Sequence, residues 1–109
     1  MKFNVIATDP FDRKLKRLAK KYKSLALDLE PLFNELAINP NLGTSIGKDC
    51  YKIRVAITSK GKGKSSGARI ITYVRVIKNT VFLMDIYDKS EQVNISDKEL
   101  RFLIELLKK

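Results

Sequence analysis

The densest chemistry in the sequence is Lys60-Gly61-Lys62-Gly63-Lys64, followed by Ser65-Ser66-Gly67 and then Arg69. Glycines let a backbone approach a ligand closely and leave amides free to meet phosphate oxygens. Lysines at every second position add dense charge. A P-loop places its glycines ahead of a Lys-Ser/Thr pair and then a helix. Here residues of strand character follow, so the stretch reads as a polyanion contact or as a flexible solvated hairpin tip. Lys52, Arg54, Arg69 and Arg75 flank it. Guanidinium forks on rigid strands suit paired phosphate oxygens. Arg69, Ile71, Tyr73 and Arg75 share one face by period 2, and if the flanking strands pair, Lys52, Arg54, Arg69 and Tyr73 share the outer face of a sheet. Tyr73, among arginines, is the candidate for stacking on a base, whereas Tyr87 fits either a stacking role or the last place in the core. Lys and Arg on such a face also serve to discourage aggregation.

The residues that are missing narrow the chemistry further. There is no His and only one Cys, Cys50, which excludes Ser-His-Asp and Cys-His nucleophile systems and His- or Cys-based zinc sites. Catalysis would fall to Lys, Arg, Tyr, Asp, Glu, Ser or the backbone, and no cofactor or metal is expected. Cys50 reads as a small buried hydrophobe. The net charge of +10 is uneven, with +6 in residues 11–23 and +8 in residues 48–78. Such blocks suit a surface that meets a polyanion, nucleic acid or an acidic protein. No apolar run reaches the roughly 18 residues of a membrane span, and the N-terminus lacks a signal-peptide pattern. A cytoplasmic location and no membrane partner are expected.

At 109 residues the chain is expected to form a single domain over 1–109. Phe3, Val5 and Ala7 alternate, suggesting a short strand. Asp9-Pro10 can cap and start a helix whose apolar face is Phe11, Leu15, Leu18, Ala19 and Tyr22 and whose opposite face holds Arg13, Lys14, Lys16, Arg17, Lys20 and Lys21. Ser24 can cap a second helix with Leu25, Leu29, Leu32, Phe33 and Leu36 inward. Pro31 either kinks it or marks a start near Asp28. Tyr51, Ile53, Val55 and Ile57 alternate with Lys52, Arg54, Ala56 and Thr58 in a half-buried strand. Residues 68–77 and 80–87 read as two more strands, with Lys78-Asn79 as a two-residue turn. Ser96 and Glu99 form a capping box for a last helix facing inward through Leu100, Leu103, Ile104 and Leu107. The result is an α+β domain: an N-terminal strand, a helical hairpin packed on an antiparallel β-meander, and a C-terminal helix.

This order, with Lys-Arg-Leu-Ala-Lys-Lys-Tyr-Lys-Ser-Leu at 16–25, Asn-Pro-Asn-Leu-Gly at 39–43, Cys-Tyr-Lys-Ile-Arg at 50–54, the string at 60–73 and Ile-Tyr-Asp-Lys-Ser-Glu at 86–91, resembles the RelE/ParE-like toxin superfamily of toxin–antitoxin systems, nearest to its HigB-like and RelE-like members. The resemblance implies the same fold and a metal-independent endoribonuclease, an mRNA interferase acting on the ribosome. In that chemistry the substrate 2′-OH attacks the adjacent phosphate and a basic cluster stabilises the developing charge. It also implies a cognate antitoxin, expected to be a small helix-turn-helix DNA-binding protein encoded next door. On this reading Arg69, Lys60, Lys62 and Lys64 contact phosphate and transition state, Lys89 donates a proton, and Lys52, Arg54, Tyr73 and Arg75 bind RNA. RelE toxins also carry an Arg and a Tyr after the last strand, and Ser90 to Ser96 has neither, so those roles are not carried over. Two other readings fit the same residues: a toxin of this fold that binds a protein target such as gyrase, as ParE-like members do, or a non-enzymatic RNA-binding module.

Overall fold

The chain runs β1 (Asn4–Ala7), α1 (Asp9–Lys21), α2 (Leu25–Ile38), β2 (Thr44–Gly47), β3 (Cys50–Val55), β4 (Ala68–Arg75), β5 (Thr80–Asp88) and α3 (Asp97–Leu107). This is a computed structural model, which describes residues 2–61 and 63–108. The strands form one sheet in the order β1-β5-β4-β3-β2. The α+β class and the order of helices and meander are as the periodicity indicates. The sheet is mixed, however, because β1 pairs in parallel with β5, Asn4 opposite Thr80. β2 adds the other edge, antiparallel to β3. Thr44-Ser45-Ile46-Gly47 carries a single apolar residue, so it has no alternation to announce a strand.

Both faces of the sheet are covered. On one, Phe11, Leu18, Leu25, Leu29 and Leu36 of α1 and α2 pack on Ile53, Val55, Ile70, Val74, Val81, Leu83 and Ile86. On the other, Leu100, Leu103 and Ile104 of α3 pack on Cys50, Ile71, Tyr73, Met84 and Tyr87. The β4–β5 pairing carries a bulge: Ile71 lies opposite Asp85 but Thr72 lies opposite Leu83, which leaves Met84 as the extra residue. Lys14 leaves the basic face of α1 to sit 2.6 Å from Asp85 and 3.5 Å from Glu99, tying α1, β5 and α3 together.

Local rules explain the helix ends, correct two expectations and decide between the alternatives at Pro31. Thr8, not Asp9, is the N-cap of α1: its Oγ1 accepts from the Phe11 amide, and its hydroxyl donates to the Leu83 carbonyl at 2.8 Å. α2 starts at Leu25 and passes through Pro31. Pro31 and Leu27, whose carbonyl loses its helical partner, are both exposed, so water can satisfy that carbonyl. The β4–β5 connection spans residues 76–79, with a 3-10 turn at Val76–Lys78 and Asn79 in the left-handed region at φ 47°. Ser96 caps α3 as its spacing indicates, accepting from the Glu99 amide at 3.1 Å. Among the described residues, no helix is long and apolar enough to cross a membrane.

Candidate polyanion site

Strand register brings part of the candidate set together. Arg54 lies opposite Arg69, Lys52 opposite Ile71 and Cys50 opposite Tyr73, and Arg69 lies opposite Tyr87. Lys52, Arg54, Arg69 and Tyr73 therefore share a face. That face is not an open outer one, because α3 covers much of it. Tyr73 is buried, its ring 6.3 Å from that of Phe82, so it belongs to the core under α3 rather than to a free stacking platform. Tyr73 and Arg75 line a separate hollow of about 220 Å³ with Asp49, Val74, Val76 and Ile77. Tyr87 is a core residue too, its hydroxyl buried with no partner among the described residues. Burial pushes the Cys50 thiol up to about 12, with Asp49 adding to the effect.

Lys52, Arg54 and Lys64 do converge. They line one cleft of about 340 Å³ along β3, with Leu32 and Glu35 of α2 on its far wall. A second cleft of the same size continues past Arg54 and Lys64 to Asp28 and Thr58. The cleft exists because β2 stops pairing at Thr44–Lys52. Gly43, at φ +94°, turns the chain away there, and a Cβ on it would lie 2.4 Å from the Lys52 carbonyl oxygen. The edge of β3 beyond Lys52 is left uncovered. Among the described residues, no ion pair involves Lys52, Arg54 or Lys64. Lys52 Nζ donates to Asn94 Oδ1 at 3.5 Å.

The other candidates have different surroundings. Arg69 is 3% exposed. Its Nη1 donates to the carbonyls of Lys64 at 2.8 Å and Ala68 at 3.1 Å, and its Nη2 to that of Ser65 at 3.2 Å. Burial and then the neighbouring Arg54 lower its pKa. Lys60 Nζ donates to Ser66 O at 2.7 Å, Asp88 Oδ1 at 2.8 Å and Ser90 Oγ at 2.9 Å, and it lies 5.3 Å from the centre of the Tyr22 ring. The Tyr22 hydroxyl donates to the other Asp88 oxygen. The described residues on either side of Lys62 are thus held in place, the first of them by Asp28, which accepts from the Thr58 amide at 2.9 Å and from the Thr58 hydroxyl at 2.6 Å. Lys89 joins them through its backbone, donating to Gly67 O at 3.0 Å. Lys62 lies outside the described residues. Asp88 and Tyr22 carry no sequence signal for a place beside the loop, since they sit 28 and 66 positions from the partners they meet.

Chemically, the cleft presents three cationic side chains, Lys52, Arg54 and Lys64, a charge pattern suited to a polyanion. Among the described residues, no group of three or more acidic or Cys side chains is placed to hold a metal ion. The sequence profile described as RelE toxin of the RelE/RelB toxin–antitoxin system matches residues 12–109. Two solved structures from E. coli are similar. One is a RelE variant with two arginines replaced by alanine, in the free state, at 20% identity and TM-score 0.62, covering 85% of this chain and 90% of that one. The other is the isolated RelE toxin, at 18% identity and TM-score 0.52, covering 95% and 98%. At these identities the solved structures speak to the shared fold, and the profile speaks to the lineage. A profile match over nearly the whole chain, on a fold shared with RelE, makes this protein a member of the RelE toxin family, the toxin of a toxin–antitoxin system.

Proposed function

We propose that the protein cleaves mRNA on the ribosome, with the β3-edge cleft as the phosphate site. The observation that carries this is the convergence of Lys52, Arg54 and Lys64 on one cleft with no ion pair to any of them among the described residues. The RNA supplies its own nucleophile. The 2′-oxygen forms a bond to the adjacent phosphorus and its proton passes to solvent water, while the bond from phosphorus to the 5′-oxygen breaks and that oxygen takes a proton from Lys89. Arg54 and Lys64 hold the non-bridging oxygens as their charge rises, Lys52 positions the strand, and Lys89 stands as the proton donor. A buried guanidinium at Arg69, without a carboxylate among its named partners, raises the local positive potential behind Arg54. The partner that restrains this activity is a RelB-like antitoxin, which we propose to be a small helix-turn-helix protein encoded beside the toxin.

The test is cleavage of a programmed mRNA on purified ribosomes. Wild type should cut it, and the triple variant Lys52→Ala/Arg54→Ala/Lys64→Ala should lose the activity while keeping its fold and its antitoxin. Intact mRNA with wild type overturns the proposal. Because Ser90 to Ser96 lacks the Arg and Tyr of RelE toxins, that outcome accompanied by gyrase inhibition would establish a protein-binding toxin.

A further inference from the structure

Two cations, Lys60 largely shielded from solvent and Arg69 buried, hold one turn. Lys60 takes the carbonyl of Ser66, and Arg69 takes those of Lys64 and Ser65, so three consecutive carbonyls end on two side chains. An ammonium group has three N–H donors. All three of those on Lys60 are engaged, by Ser66, Asp88 and Ser90, and its side chain is 12% exposed. It has no donor left for a phosphate. The Arg69 guanidinium is likewise turned onto backbone.

The turn needs such help. Residues 59–67 contain no apolar side chain that could anchor them to the core, and ordering a segment this rich in glycine is entropically expensive. Asp88 supplies the anchor. Its side chain is fully buried at the end of β5, and it accepts from Lys60, from the Ser90 amide and hydroxyl, and from Tyr22. With the turn's carbonyls fixed inward, the Lys64 side chain is left on the cleft beside Arg54.

We propose that Lys60, Arg69 and Asp88 are positioning residues: Lys60 and Arg69 set the Lys64–Ser66 turn, Asp88 sets Lys60, and their effect on RNA cleavage passes through Lys64. This rests on the cleavage activity proposed above. It replaces the expectation that Lys60 and Arg69 touch the transition state.

A double-mutant cycle tests it. Single-turnover cleavage at saturating ribosome is measured for wild type, Asp88→Asn, Lys64→Ala and the pair. Misplacing a charge by about 1 Å can cost up to roughly a hundredfold in rate. Each single variant should therefore fall at least about tenfold, and the pair should be no slower than the slower single. Wild-type rates for Asp88→Asn, or effects that multiply in the pair, overturn the proposal. If Asp88→Asn does not fold, Lys60→Met/Asp88→Asn removes both charges together and leaves none buried alone, and it takes the same place in the cycle. A second readout does not depend on cleavage. Hydrogen exchange of the Gly67 amide, which donates to Lys64 O, should quicken in the variant, while that of Ile70 in β4 stays unchanged. Unchanged Gly67 protection overturns the positioning role even if wild type proves to cut no RNA, in which case the cleavage reading falls separately.

Discussion

At the scale of single residues, charge is either sequestered or left available. Burial alone would raise the pKa of Asp88, but hydrogen bonds from Lys60, Ser90 and Tyr22 outweigh it and hold the carboxyl well below the usual carboxylate range. A carboxyl whose folded pKa is depressed contributes stability that is present above its unfolded pKa, about 3.9, and is lost as pH falls below it toward the folded value. The urea midpoint of wild type should therefore drop as pH is lowered from about 5 to 3. Asp88→Asn should be less stable at neutral pH and should show a shallower drop, which urea titrations at several pH values will measure. Cys50 behaves in the opposite way, its thiol pushed up to about 12 by burial. The thiolate is the reactive form, so the folded protein should resist alkylation by iodoacetamide at pH 8 and react only when unfolded, as mass spectrometry would show.

At the scale of elements, two glycine contacts and two caps determine where chain segments meet. A Cβ on Gly67 would lie 2.0 Å from the Val55 carbonyl oxygen. Gly67→Ala should thus cost roughly 1–3 kcal/mol, as overpacking against rigid backbone does, and should lower the thermal midpoint. Ser96→Ala should cost about 1 kcal/mol through loss of the α3 cap. Most elements are legible in the sequence because they carry period: Leu25, Leu29 and Leu36 for α2, Ile53 and Val55 against Lys52 and Arg54 for β3, Ser96 and Glu99 for α3. β2 is not, since its four residues obtain their strand conformation from pairing with β3 rather than from pattern. The same limit applies to the site. Period 2 correctly aligns Lys52, Arg54 and Arg69, but it is silent on which face α3 covers, and so on the burial of Tyr73. Nor can local spacing show that Lys60 is neutralised by Asp88, because the pair forms only when β5 is laid beside β4.

At the scale of the whole molecule, the +8 block over residues 48–78 includes cations held inside, Lys60 and Arg69, and cations at the cleft, Lys52, Arg54 and Lys64. Of these five, the three at the cleft are the ones placed to displace counterions from a polyanion. Replacing those three by Ala should flatten the slope of log affinity against log salt for ribosome binding by roughly 2–3, and Lys60→Met/Asp88→Asn, which acts only through Lys64, should flatten it by at most about 1. The topology carries a further consequence. Thr8 bonds to Leu83 across 75 positions, Lys14 to Asp85 across 71 and Tyr22 to Asp88 across 66, so the first elements to be synthesised dock on β5, one of the last. Contacts of such separation form late in folding. A polypeptide ended at Asn79 should give the circular dichroism of an unfolded chain and cause no growth arrest. During translation, β1 and α1 must then wait, unassembled, for β5 to emerge, and most of the chain is made before the toxin can take its folded form.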